Sequence, residues 1–126
     1  MHGERIVLLG AGRGATQLAR ALSLYPSEGQ RLQLYSPGGH SACRLAAKLT
    51  GEVSVARSLS ELDKDADCYI FAVPDTVIAP LASELAELGI GISNRALWLH
   101  VSGATPLAHL AEHHSESAVL YPLQTF

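Results

Sequence analysis

The chain has 126 residues, of which 48% are hydrophobic and 17% charged, which suits one folded domain over 1–126 and excludes a disordered chain. A net charge of −3 with only nine Lys and Arg argues against nucleic acid as a partner, because phosphate binding needs positive charge gathered on one face. Two cysteines set no disulfide framework, the charged start is not a signal peptide, and no apolar run approaches the ~20 residues of a membrane span, so a reduced, cytoplasmic domain without a membrane partner is expected.

Taken in order, Ile6-Val7-Leu8-Leu9 is an apolar run closed by Gly10 and predicts a buried strand. Ala15, Leu18, Ala19 and Leu22 then repeat at helical spacing and predict a helix that Pro26 ends. Leu32-Gln33-Leu34-Tyr35 predicts a second strand. Ser41 is placed as the cap of a second helix with Ala42, Leu45, Ala46 and Leu49 inward and Gly51 as its stop. Val53-Ser54-Val55 reads as a short strand toward an edge. The stretch 68–73 is the most apolar strand and is assigned to the sheet centre. A helix is predicted over 77–88, starting nearer Ile78 than Asp75 because Pro80 falls early, with Gly89 as its stop.

The run 97–101 predicts another buried strand. Thr105-Pro106 opens a further helix, and 118–121 predicts a sixth strand that Pro122 terminates. Alternating strands and helices, with strands apolar on both faces, specify an α/β fold: a doubly wound, mostly parallel sheet with helices on both faces.

Between the first strand and first helix lies Gly10-Ala11-Gly12-Arg13-Gly14-Ala15, with the spacing G-x-G-x-x-A. Gly10 permits a tight turn, Gly12 lets a pyrophosphate approach the backbone, and the small Ala15 allows helix and strand to pack closely. The helix N-terminus adds free N–H groups and partial positive charge. Within a βαβ unit this is the setting of a dinucleotide site, although a glycine-rich turn that binds nothing gives the same string. An acid about 20 residues further on would hold the ribose 2′-hydroxyl of NAD. None stands between Gln30 and Ala47, so NADP(H) is preferred over NAD, with Ser36 as a hydrogen-bond partner of the 2′-phosphate and Arg13 or Arg44 as its counter-charge.

The pieces "GAGRGATQLARAL", "ADCYIFAVPD", "HVSGATPL" and "YPLQTF" make the chain, from about Glu4 to Phe126, resemble the N-terminal Rossmann domain of an uncharacterised NADP-oxidoreductase-like family. That family is grouped with pyrroline-5-carboxylate reductase, deazaflavin-dependent NADP reductase and 6-phosphogluconate dehydrogenase-like proteins. The resemblance implies a strand order of about 3-2-1-4-5-6, Val73-Pro74-Asp75 lying along the cofactor, and His100 to Gly103 facing the nicotinamide and a small carbonyl or imine substrate. It also implies a helical second domain that supplies dimer contacts and half of the active site. The 126 residues do not include it, so the chain is expected to be either part of a longer product or a reduced module. In two further departures, Pro37 stands where the family has an Arg, and Tyr121 where it often has a His.

Several residues carry two readings. Asp75 is a helix cap or a ligand contact. His100 ends a buried strand and either titrates near neutrality or bonds a backbone carbonyl. Ser102 is preferred over His100 as the substrate contact. His109 and His113 share metal-ligand spacing, but without a third ligand a solvated helix face is preferred and no metal is expected. Cys43, near a helix start, has no identifiable base partner, whereas Cys68, Phe71 and Trp98 read as core. Beside an oxidoreductase domain stand two other readings: a degenerate module for regulation or dimerisation, and a flavin- or methyl-donor-binding domain.

Overall fold

The computed structural model describes residues 4–24, 29–92 and 96–100. Five strands form one parallel sheet: β1 (Arg5–Leu9), β2 (Arg31–Tyr35), β3 (Glu52–Ala56), β4 (Cys68–Phe71) and β5 (Leu97–His100), in the order β3-β2-β1-β4-β5. Helices α1 (Arg13–Leu24), α2 (His40–Ala46) and α3 (Asp75–Glu87) connect them, and a single 3₁₀ turn (Leu59–Glu61) lies between β3 and β4. The expected α/β sheet is present with β3 at one edge, while the proposed sixth strand over 118–121 and the helix opened by Thr105 lie outside the described residues.

Strand alternation sorts the core into two layers. Val7 and Leu9 of β1 face one side with Tyr69, Phe71 and Trp98, against Ile78, Ala82 and Leu85 of α3. Ile6 and Leu8 face the other side with Leu32, Leu34 and Ile70, against α1 and α2. Helices on both faces are what strands apolar on both faces require. Among the described residues β1 is the middle of the five strands, and β4, the strand within the 68–73 segment, is interior beside it, joined to β1 on one side and β5 on the other. All four β4 residues are buried. Trp98 is fully buried, tilted against Phe71 at a ring separation of 5.4 Å, and its indole N–H donates to the Gly91 carbonyl at 3.1 Å.

Three expected boundaries move. Helix α2 begins at His40, with Gly39 at the cap position, so Ser41 is an internal residue. It ends at Ala46, and Gly51 (φ +90°) serves the turn into β3 instead of stopping the helix. Helix α3 begins at Asp75, with Pro74 at the cap position. Pro80 therefore sits inside it. The loss is one bond to the carbonyl of Thr76, an exposed residue, and the burial of Ile78, Leu81, Ala82 and Leu85 outweighs that loss.

Burial also has a consequence at high pH. It pushes the Cys68 thiol up to about 12, with Glu4 and Asp67 adding to the rise. It likewise pushes the Tyr69 phenol up to about 12, although an N–H from Ala66 partly offsets it. Both groups keep protons in the folded state that the unfolded chain releases near 9 and 10. Their contribution to stability is complete below about pH 9 and is lost as the pH climbs toward about 12. The urea midpoint is expected to fall steadily across that window. A midpoint that stays flat would mean neither group is shielded.

Candidate functional site

The predicted loop forms a turn stitched between its neighbours at the carboxyl ends of the strands. The Gly10 N–H donates to the Tyr35 carbonyl at 2.8 Å, and the Ala72 N–H donates to the Leu9 carbonyl at 2.8 Å. Gly10 has φ +116°, and a Cβ there would lie 2.2 Å from the Ala72 carbonyl oxygen and 3.1 Å from Cγ1 of Val73. Only glycine fits a backbone so bent and so close to another strand. The same approach sets Val73 beside the glycine turn. Ala15 is fully buried among the side chains that pack α1 onto β1.

Gly12 differs from Gly10. Among the described residues outside its chain neighbours, a Cβ at Gly12 would meet no atom within 4 Å, and its φ is not in the left-handed region. Neither backbone geometry nor packing by the described residues requires glycine here, so among them the missing side chain leaves open space before the main chain. The carbonyl of Gly12 accepts the N–H of Thr16 at 2.9 Å and its hydroxyl at 2.8 Å, which closes the first turn of α1. The N–H groups of Arg13, Gly14 and Ala15 have no acceptor within the helix, by the geometry of any helix start. No acidic residue occupies that first turn. A bent strand end, open space at Gly12 and unmatched N–H groups together fit a diphosphate. Ala11, between the two glycines, is half-buried.

Ser36 is only 5% exposed, and its Oγ accepts the N–H of Ala42 at 3.0 Å while its carbonyl accepts the N–H of Gly39 at 2.9 Å. The first turn of α2 needs acceptors for its free N–H groups, and the Ser36 hydroxyl supplies one. Ser36 thereby helps to hold the loop. Pro74 and Asp75 stand at the start of α3, beyond the end of β4, with Pro74 taking the cap position proposed for Asp75. His100 is buried at the end of β5, level with Phe71. The glycine turn, Ser36, Val73 and His100 thus share the carboxyl end of the sheet, where ligands bind in such folds. Ser102, His109 and His113 lie outside the described residues, as does the side chain of Arg13.

Sequence reasoning missed a cleft of about 440 Å³ lined by Gly39, His40, Cys43, Arg44 and Arg57. Arg57 follows Ala56, which pairs with Tyr35, so it stands level with Ser36. The available signal was its place immediately after a strand, at the ligand-binding edge. A second cleft, of about 310 Å³, includes Arg5, Arg31 and Glu52, the first residues of β1 to β3. It lies at the opposite end of the sheet, and Arg5 is paired there with Asp63 at 3.1 Å.

No helix among the described residues is long and apolar enough to cross a membrane. No protein-family model matches the chain, and no curated protein matches it. Solved structures do. The chain is 34% identical, over 98% of its length, to a "putative NADP oxidoreductase" of Bacteroides fragilis, with a TM-score of 0.76. It spans 46% of that protein. A diketoreductase (15% identity, TM-score 0.74) and the 3-hydroxyisobutyrate dehydrogenase of Mycobacterium tuberculosis (20%, TM-score 0.67) each match 98% of the chain. The chain covers 50% and 40% of those two proteins, and at these identities they show the shared fold. Strand order, glycine turn and relatives agree: the chain belongs to the Rossmann NAD(P)-binding domains.

Proposed function

We propose that the chain is the NADP(H)-binding part of an oxidoreductase that acts on a small carbonyl or imine. The open space in front of Gly12 carries this reading, because no described residue needs glycine there and a diphosphate is what would use it. The Bacteroides protein described as an NADP oxidoreductase supports the preference for NADP(H), as does the lack of an acid after β2. The backbone of Gly10, Ala11, Gly12, Arg13 and Gly14 would hold the diphosphate, with Ala15 keeping α1 close to the sheet. Val73 and Pro74 would flank the cofactor from the end of β4. Bound nicotinamide supplies hydride transfer, and the protein's part is to bind and orient it. His100, and Ser102 beyond it in the chain, are the candidates for orienting a substrate carbonyl.

Thermal denaturation with added nucleotide tests the reading. NADPH at about 100 times its dissociation constant should add ~2.7 kcal/mol of stability. A melting temperature unmoved by millimolar NADPH, NADP or NAD would overturn it.

A further inference from the structure

We propose that Cys43 is a redox-modification site: the cleft it shares with Gly39, His40, Arg44 and Arg57 takes an anionic low-molecular-weight disulfide, and the mixed disulfide formed there closes the neighbouring crevice to nucleotide. The closing of the crevice rests on the preceding reading of the glycine turn as the diphosphate site, whereas the modification stands without it.

The cleft gathers a thiol and basic groups in one place. Its lining contains two guanidinium groups and an imidazole beside the Cys43 thiol, but no carboxylate. Among the described residues, neither Arg44 nor Arg57 forms an ion pair. Glu61 is close by, but its carboxylate accepts the backbone N–H of Arg57 at 2.9 Å, which fixes the main chain and leaves the guanidinium unmatched. Cys43 is half-buried and opens on this cleft, whereas Cys68 is buried within β4. A partly exposed thiol in electropositive surroundings is the kind that exchanges with disulfides. Carboxylates carried by the disulfide would pair with the two free guanidinium groups and seat its sulfurs at Cys43.

The backbone holds these groups together. The Cys43 N–H donates to the Gly39 carbonyl at 2.9 Å, which sets the thiol one helical turn from Gly39. Gly39 has φ +83°, and a Cβ there would lie 2.8 Å from Cγ of Arg57 and 3.4 Å from its Cα. The Arg57 stem therefore crosses directly over the loop that follows β2, at a spot only glycine can occupy, while Arg44 follows Cys43 on α2 itself. In the exchange, Cys43 gives its proton to solvent and its thiolate attacks one sulfur of the disulfide. The new S–S bond forms as the old one breaks, and the departing half leaves as a thiolate that takes up a proton. The Cys43 sulfur is oxidised and the departing sulfur reduced. Arg57 stands level with Ser36, and Tyr35, the residue before Ser36, accepts the Gly10 N–H of the glycine turn. A group tethered at Cys43 therefore stands beside that turn and fills the approach to it.

Intact-mass spectrometry follows exchange of the chain with anionic glutathione disulfide, neutral 2-hydroxyethyl disulfide and cationic cystamine, each rate divided by that of the free thiol N-acetylcysteinamide. Peptide mapping places the label. The proposal expects Cys43 alone to be modified, with glutathione disulfide favoured about tenfold over the neutral disulfide and cystamine slowest. Arg44 and Arg57 are exposed, so the double variant Arg44→Gln, Arg57→Gln should keep its melting temperature and bring the three normalised rates within about twofold of one another. Equal rates in the parent chain, a preference that survives the double variant, or a label on Cys68 would overturn the site. In the fully modified chain, NADPH binding should weaken about tenfold or more and return on reduction with dithiothreitol. Binding unchanged by the modification would overturn the closing of the crevice. If the unmodified chain binds no nucleotide, that failure belongs to the glycine turn, and the exchange rates alone decide the site.

Discussion

Gly12→Ala is expected to keep its fold and lose its nucleotide. Among the described residues outside its chain neighbours, the added methyl meets no atom within 4 Å. Gly12 stands just before the first residue of α1, where glycine is a better cap than alanine, so the cost to stability should be about 1 kcal/mol or less. For a diphosphate the same methyl occupies the space through which its oxygens reach the backbone N–H groups. Losing two charge-assisted hydrogen bonds weakens NADPH binding by about 100-fold. Titration calorimetry of parent and variant, with urea denaturation of each, separates the two effects. Unchanged NADPH affinity would mean that no cofactor approaches this face of the turn.

Gly10→Ala should behave in the opposite way and lose stability, although it lies two residues away. A Cβ at Gly10 would sit 2.2 Å from the Ala72 carbonyl oxygen, on a backbone with φ +116°. Ala72 belongs to the chain leaving β4, and its own N–H is held by Leu9, so it cannot retreat without breaking the sheet. Strain of 1–3 kcal/mol and the loss of the bonds at Gly10 and Ala72, about 1 kcal/mol each, sum to roughly 4 kcal/mol. Against a total stability of about 5–15 kcal/mol, that should lower the melting temperature by about 15 °C. Circular dichroism melts measure it directly. A variant that melts with the parent would show that the turn tolerates a side chain and that the close approach of β1 and β4 is relaxed.

The contrast between these two glycines separates what each kind of information can reach. The G-x-G-x-x-A spacing marked both positions as part of one phosphate turn, and hydrophobic periodicity placed that turn between a strand and a helix. Only the packed structure shows that Gly10 is required by the protein itself, while no described residue requires Gly12.

The same division runs through the second-strand loop. Ser36 was legible as a hydroxyl at a strand end, but a hydroxyl can face a ligand or cap a helix. The choice depends on whether free N–H groups of α2 come within reach, and Ala42 does. The element boundaries shifted for a related reason. Proline at position 80 argues locally for a late start to α3, yet four inward apolar residues on that helix outweigh one missing backbone bond.

Arg57 was invisible because nothing in linear order ties it to Ser36; parallel pairing of β2 with β3 sets the two at one level. Composition, charge and periodicity alone determined that this is an α/β domain with a parallel sheet and a nucleotide-type turn, because those properties follow from spacing along one chain. The tertiary structure decided which glycine leaves room for a ligand, where Ser36 turns, and which arginines meet, because those depend on distances between segments that the chain order does not contain.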